Sequence, residues 1–462
     1  MPDDTIVAVS TPPGRGGLGV VRLSGSRALE IACNLIRFSK LPLETQRATR
    51  GEFCDPQGGK VLDQVVVTCF RRPHSYTAED VVEISCHGAP VILQYLVECC
   101  VNGGARAAEP GEFTLRGFLN GRVDLTQAEA VRDLIESRTL YQARVAAQQM
   151  EGALSARLKP HKQVLLELIA RLEAGIDFAE DDVAVMDWAE ISNHIDRVRA
   201  DLERLEQGYA YGRLIREGLS LAIVGRPNVG KSSLFNCLLN EERAIVTSTP
   251  GTTRDLVTET ASVGGIPLRF VDTAGIRPTE NEPERIGVEK TFQAIADSDL
   301  RLLVVDASQS WSDEDSNLLN KLLPLGAFLI ACNKRDLPPR ISNADLERVL
   351  AAAAPATPPL VWTSALTADG IAQLRDKIVE IAVPARDLGP EGEFITNLRH
   401  QQLLKEALLA LAKALDAAGQ RLPHELLLLD LYEALRLLDQ MTGATYVDDV
   451  LEVIFSTFCV GK

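Results

Sequence analysis

Residues Ser220–Ser233, SLAIVGRPNVGKSS, constrain the fold more than any other stretch of the chain. Leu221, Ala222, Ile223 and Val224 form a short apolar run suited to a buried strand, and Gly225–Ser232 then spells G-x-x-x-x-G-K-S. Glycines let the backbone turn tightly enough for successive N–H groups to face phosphate oxygens, and the following helix offers its positive end. Lys231 is expected to reach the outer phosphates and the Ser232 hydroxyl to hold Mg²⁺, with Asn228, Val229, Gly230 and Ser233 completing the cradle.

Further elements follow in nucleotide-site order. TPGTTRD spans Thr249–Asp255, and the loop around it supplies Thr247, Ser248, Thr249, Pro250, Gly251, Thr252 and Thr253 as candidate contacts. Asp272, Thr273, Ala274 and Gly275 form DTAG, where Asp272 ends the apolar run Leu268–Val271 and would reach Mg²⁺ through a water. Asn333, Lys334 and Asp336 belong to NKRD, and Ser364, Ala365 and Leu366 form a weaker fifth element. A carboxylate at Asp336 can accept from the guanine N1–H and exocyclic amine, a pair that adenine does not offer. That preference points to GTP.

With 462 residues the chain can hold two to four domains. No apolar run approaches the roughly 20 residues that span a bilayer, and Asp3 and Asp4 do not make a basic leader, so a cytoplasmic protein without a membrane partner is expected. Nine scattered cysteines without a C-x-x-C pair suggest reduced thiols, and Cys99-Cys100 reads as helix core. The net charge of −16 argues against indiscriminate nucleic-acid affinity. Residues 1–120 are nearly balanced, 12 Lys/Arg against 13 Asp/Glu, so the acidity lies in the remainder and an RNA contact would need a local basic patch.

Periodicity divides the chain into four segments. Residues 1–120 look α+β, with strands at Thr5–Ser10, Val61–Phe70 and Val81–Ser85 and a turn-rich Thr11–Gly19. Tyr76, Glu79, Asp80 and the SCHG of Ser85–Gly88 suggest a pocket, although His87 alone is more often structural. Residues 121–217 read as helices, opened by a capping box of Thr126 and Glu129. Stripes at Leu165, Leu168, Ile169 and Leu172, and at Ile191, Ile195, Val198, Leu202 and Leu205, mark core faces, and Pro160 should interrupt or kink its helix. Residues 218–387 alternate strand and helix, which implies a mostly parallel, doubly wound sheet. Helices return in 388–462, so a helical domain is interrupted by the nucleotide-binding domain, and the apolar run before FCVGK suggests a docked end.

The residues leave the mechanism partly open. Ile276 follows DTAG and cannot orient a water, so Glu280, Glu282 and Glu284 are candidates. Arg254 and Arg277 are available as fingers; alternatively the Asn228 carbonyl and oxygens of Thr247–Thr252 would hold a monovalent cation.

Over its whole length the chain resembles the MnmE (TrmE) family of tRNA-modification GTPases, through TPPGRGGLGVVRLSG, PGEFTLRGFLNGRVDLTQAEAVRDLI, GRPNVGKSS and the terminal FCVGK. The resemblance implies an N-terminal α+β folate-binding-like domain and a Ras-like P-loop GTPase domain inserted into a helical domain. It further implies a homodimer that acts on tRNA with MnmG, an FAD and NADH enzyme, to build an aminomethyl-type group on carbon five of the wobble uridine. The one-carbon donor would be 5-formyl- or 5,10-methylene-tetrahydrofolate, contacted by Arg22, Glu79, Arg122 and Lys462. K⁺ would sit among Asn228, Thr247, Thr249 and Thr252; Mg²⁺ would be held by Ser232 and Thr253. Glu284 would orient the water, and Cys459 would matter for tRNA modification. Arg122 replaces an expected lysine, which keeps the charge but changes the geometry. Pro250 and Thr249 depart from the Ala and aliphatic residue of other members, which leaves Thr249 only its backbone carbonyl for K⁺. Competing readings are a ribosome-assembly GTPase of the Der or Era kind, or a GTP-timed scaffold.

Overall fold

The computed structural model describes residues 4–38, 42–177, 186–240, 260–271, 294–353, 358–382, 394–446 and 448–461. The switch-loop positions Thr247–Thr253, Asp272–Gly275, Glu280, Glu282, Glu284, Arg254, Arg277 and Lys462 lie outside the described residues. Contacts divide the chain into two compact units, Met1–Arg132 with Gln149–Lys162 and Tyr432–Lys462, and Asp133–Gln148 with Gln163–Leu431.

In the first unit, β1 (Ile6–Val9), β2 (Gly16–Ser24), β3 (Ile36–Phe38), β4 (Thr49–Cys54), β5 (Val61–Phe70), β6 (Val81–Gly88) and β7 (Arg106–Ala107) form one sheet in the order β3-β4-β5-β6-β2-β1-β7. Alternating Val65, Val67, Val82 and Ile84 face helices Ala28–Leu35 and Pro90–Asn102, burying Ile31, Leu96, Cys99 and Cys100 between the layers. The expected turn at Thr11–Gly19 is shorter than its composition suggests. Strand β2 already opens at Gly16, which pairs with Gly88, and glycines on both strands let their backbones approach closely.

Helix formation also starts earlier than residue 121, with Glu112–Leu119. The capping box expected at Thr126 and Glu129 falls instead on Asp124 and Gln127. Asp124 Oδ1 accepts from the Gln127 backbone N–H, and Gln127 Oε1 accepts from the Asp124 N–H, both at 2.9 Å. A carboxylate two residues upstream of Thr126 wins the cap, and the Thr126 hydroxyl donates to it. Phe118, Leu125, Leu451, Phe455 and Phe458 close a small core between these helices and Asp448–Ser456.

In the second unit, β8 (Leu219–Val224), β9 (Thr260–Val263), β10 (Ile266–Val271), β11 (Leu300–Asp306), β12 (Phe328–Asn333) and β13 (Leu360–Trp362) follow the order β13-β12-β11-β8-β10-β9, parallel except for β9 against β10. Their apolar runs are buried on both faces, as a parallel sheet covered by helices requires. Ile191, Ile195, Val198, Leu202 and Leu205 are all buried along helix Trp188–Gln207, which packs on Leu398–Gly419. Leu165, Leu168, Ile169 and Leu172 are buried too. Their helix, Ala153–Asp177, runs through Pro160 without interruption, since loss of one N–H removes a single backbone bond from a long, anchored element. No helix among the described residues is long and apolar enough to cross a membrane.

Leu202 is fully buried between the two long helices. Leu202→Ala should cost about 2–5 kcal/mol of stability, read as a lowered urea midpoint of helical circular dichroism.

Candidate nucleotide site and N-terminal pocket

The phosphate loop leaves the carboxyl end of β8 and enters helix Lys231–Asn240. Gly230 has φ +97°, and a Cβ there would lie 2.3 Å from Asn333 Nδ2, so only glycine fits. Asn228 also sits in the left-handed region, with φ +63°, and its exposed amide has no hydrogen-bond partner among the described residues. Lys231 Nζ donates to the carbonyls of Gly225 (2.8 Å) and Arg226 (2.7 Å), which holds the ammonium over the loop, and burial pushes its pKa down. Val229 is buried, while Ser232 and Ser233 expose their hydroxyls at the start of the helix.

Asn333 ends β12 and is buried. Its Nδ2 donates to Val229 O at 2.9 Å, and its Oδ1 accepts from Ala365 N–H at 3.1 Å. One amide therefore joins the phosphate loop, NKRD and Ser364–Leu366. Ser364 Oγ donates to Asp336 Oδ1 at 2.5 Å and orients the carboxylate proposed to read the base. Leu366 is 85% exposed at the lip.

Two supporting carboxylates went unrecognised in the sequence. Asp306, at the end of β11, accepts from Lys334 Nζ at 2.7 Å. Burial raises its pKa, but hydrogen bonds from Lys334 and Ser308 outweigh that and hold it below the ordinary value. Asp315 is fully buried, accepts from Arg226 Nε at 2.8 Å and caps helix Asp313–Leu322 with Ser312. Asp306 was legible as a strand-end aspartate on the neighbouring parallel strand; Asp315 carried only its local capping signal.

In the first unit, Arg22 and Glu79 occupy one end of the sheet. Arg22 lies 5.5 Å from the Tyr76 ring centroid and 5.7 Å from that of Phe113, and pairs with Glu83 at 2.8 Å. Glu79 accepts from Ser24 Oγ at 2.8 Å and from buried Arg116 at 3.2 Å; Arg116 also holds Asp4 and Glu112. The terminal segment docks here. Val460 bridges to Pro110, and the Gly461 carbonyl accepts from Ser10 Oγ (3.1 Å) and Arg22 Nη1 (3.4 Å). Cys459 is exposed. Arg122 lines a separate cavity, and no described side-chain hydrogen bond joins it to Arg22 or Glu79. Among the described residues, no group of three His, Cys, Asp or Glu is placed to hold a metal.

Two family models match the chain: the GTP-binding protein TrmE N-terminus over residues 5–122, and the MnmE helical domain over residues 125–459. The tRNA modification GTPase MnmE of Koribacter versatilis (strain Ellin345) is 55% identical, with 100% of this chain and 99% of that protein covered. The corresponding protein of Moorella thermoacetica (strain ATCC 39073 / JCM 9320) is 44% identical, with 100% of both chains covered. Among solved structures, the G domain of the T. maritima FeoB iron transporter is similar at 27% identity, covering 36% of this chain and 99% of its own, with a TM-score of 0.27.

Asp306→Asn should destabilise the second unit by about 1–3 kcal/mol at neutral pH, because Lys334 loses its charged acceptor. The Asp306 carboxyl sits below its ordinary 3.8 in the folded chain, so the pair stabilises fully above that pH and fades as pH falls through the lowered value. Urea midpoints of wild type and variant should therefore differ at pH 7 and converge in acid.

Proposed function

The chain belongs to the MnmE family of tRNA modification GTPases, and on that premise we propose that it is a potassium-dependent GTPase working with MnmG on the wobble uridine of certain tRNAs. The added group is of the aminomethyl or carboxymethylaminomethyl type, on carbon five of the base, and tetrahydrofolate in its 5-formyl or 5,10-methylene form is the one-carbon donor. The partner carries FAD and NADH. The observation that best supports the nucleotide half of this reading is the buried Asn333 amide, which gathers Val229 and Ala365 at the carboxyl end of one parallel sheet.

Asp336, oriented by Ser364, accepts the paired N–H donors of guanine, while Asn333 keeps the phosphate loop in register with that contact. Lys231 exchanges its two loop carbonyls for phosphate oxygens, which are stronger partners for a half-buried ammonium. The exposed Ser232 hydroxyl fits one position of a Mg²⁺ shell, completed by Thr253; the unpartnered Asn228 amide fits a K⁺ ligand, completed by Thr247, Thr249 and Thr252. When bound, these cations supply positive charge to the oxygens of the transferring phosphoryl group. Glu284 orients the attacking water.

Arg22, Glu79, Arg122 and Lys462 are the proposed folate contacts. Support comes from Glu79, whose carboxylate is aimed by Ser24 and Arg116, and from Arg22, which is held over two rings beside the docked Gly461. A carboxylate suits the amino-pyrimidinone edge of a pterin for the same reason that Asp336 suits guanine. Cys459 acts in the tRNA step, and homodimerisation brings two such chains together.

Purified chain, partner with its FAD and NADH, tRNA, GTP, methylene-tetrahydrofolate and an amine, glycine or ammonium, should convert the wobble uridine in potassium buffer, read by nucleoside mass spectrometry. Loss of product on omitting GTP or folate supports the reading; full product without either contradicts it. In the nucleotide site, Asp336→Asn should weaken GTP affinity roughly 30- to 100-fold and improve xanthosine triphosphate binding, measured by competition with a fluorescent GDP.

A further inference from the structure

A cavity of about 500 Å³ opens in the first unit. Its walls come from three separated segments: Arg122 in the turn after helix Glu112–Leu119, Ser155, Lys159 and Lys162 on helix Ala153–Asp177, and Thr442 and Gly443 at the end of helix His424–Thr442. Ser155, Lys159 and Lys162 follow helical spacing and so share one face. The volume is that of a small-molecule site.

The charge in this cavity is not balanced internally. Lys162 is paired with Asp439 and donates to Thr442 Oγ1 at 3.3 Å. Asp124, the acidic residue of the lining, has its Oδ1 engaged by Thr126 and by the Gln127 N–H of the helix cap. The Arg122 and Lys159 side chains have no hydrogen-bond or ion-pair partner among the described residues. In a chain of net charge −16, cations converging on one concavity from separate segments are not what a solvated acidic surface supplies by default.

We infer that this cavity binds the oxyanion end of a small molecule carrying two or more carboxylate or phosphate groups. Arg122 and Lys159 are its charged contacts and Lys162 a tethered third cation, while the Ser155 and Thr442 hydroxyls of the wall are engaged by Thr126 and by the Leu438 and Asp439 carbonyls. Two sources share that chemistry: a free phosphorylated metabolite, or the glutamyl tail of a folate. Only the second rests on the proposed function, through Arg122; the cavity's affinity for oxyanions stands on its own residues.

The test uses full-length protein saturated with Mg²⁺ and GDP, so that added anions do not occupy the phosphate loop. Inorganic phosphate and γ-linked triglutamate are titrated calorimetrically into wild type and Lys159→Gln/Arg122→Gln. Both replaced side chains are exposed, and an unchanged melting temperature checks the fold. Binding of either probe that weakens about tenfold or more in the variant supports the inference, as expected from losing charge-assisted hydrogen bonds. Preference for phosphate identifies the metabolite source. Preference for triglutamate identifies the tail, and triglutamyl-tetrahydrofolate should then bind wild type more tightly than the monoglutamyl form, an advantage lost in Lys159→Gln. Failure of any folate to bind would count against the proposed donor while leaving the phosphate and triglutamate result to decide the cavity. Absence of binding by both probes, or equal affinity in the variant, overturns the inference. So does a variant whose only defect is weaker tRNA binding, which would make these cations contacts to RNA backbone.

Discussion

The Asn333 side chain holds together parts of the chain that lie more than a hundred residues apart. Its amide nitrogen donates to Val229 O and its oxygen accepts from Ala365 N–H, both in a buried position where an unmade bond costs about 1–3 kcal/mol. The contact is close enough that Gly230 tolerates no side chain. The residues proposed to recognise phosphate and base are thereby set at a fixed separation, and the parallel strands deliver both groups to the same edge of the sheet. Around this clamp, Asp306 fixes Lys334 and Asp315 fixes Arg226, each a charge-assisted bond to a carboxylate that is almost wholly buried.

A comparable device orders the first unit. Arg116 is buried among Asp4, Glu79 and Glu112, so its charge is compensated by three carboxylates that it holds in fixed positions. This network aims Glu79, while the docked Val460–Gly461 backbone meets β1, β2 and the Pro110 turn beside Arg22. The Val460–Gly461 segment is therefore part of the wall of the proposed folate pocket, beside Ser10 and Arg22.

Much of this architecture was legible from residue order. Strand β5 was read with its observed limits, Val61–Phe70, because β-branched residues dominate it. The buried stripe from Ile191 to Leu205 followed from helical periodicity alone. Phosphate-loop and NKRD residues could be proposed from the sequence because their chemistry depends on local spacing. What spacing could not reveal were partners distant in sequence. Asp306 with Lys334, Arg226 with Asp315 and Arg116 with Asp4 are set by tertiary packing. The shifted cap at Asp124 shows local competition: the helix starts two residues earlier, Asp124 caps the Gln127 N–H, and the Thr126 hydroxyl donates to that carboxylate and caps no N–H of its own. Arg122 was grouped with Arg22 and Glu79 by motif position, whereas its surroundings include two lysines with no motif of their own.

The central claim is that a cation held beside Asn228 supplies the positive charge that an arginine finger supplies elsewhere. GTP hydrolysis by the purified protein in KCl, against NaCl at the same ionic strength and with Asn228→Ala in parallel, tests it most directly. Potassium should stimulate hydrolysis strongly, and the substitution should abolish that stimulation while GTP affinity is retained. Equal rates in both salts, or full potassium stimulation in Asn228→Ala, would contradict it.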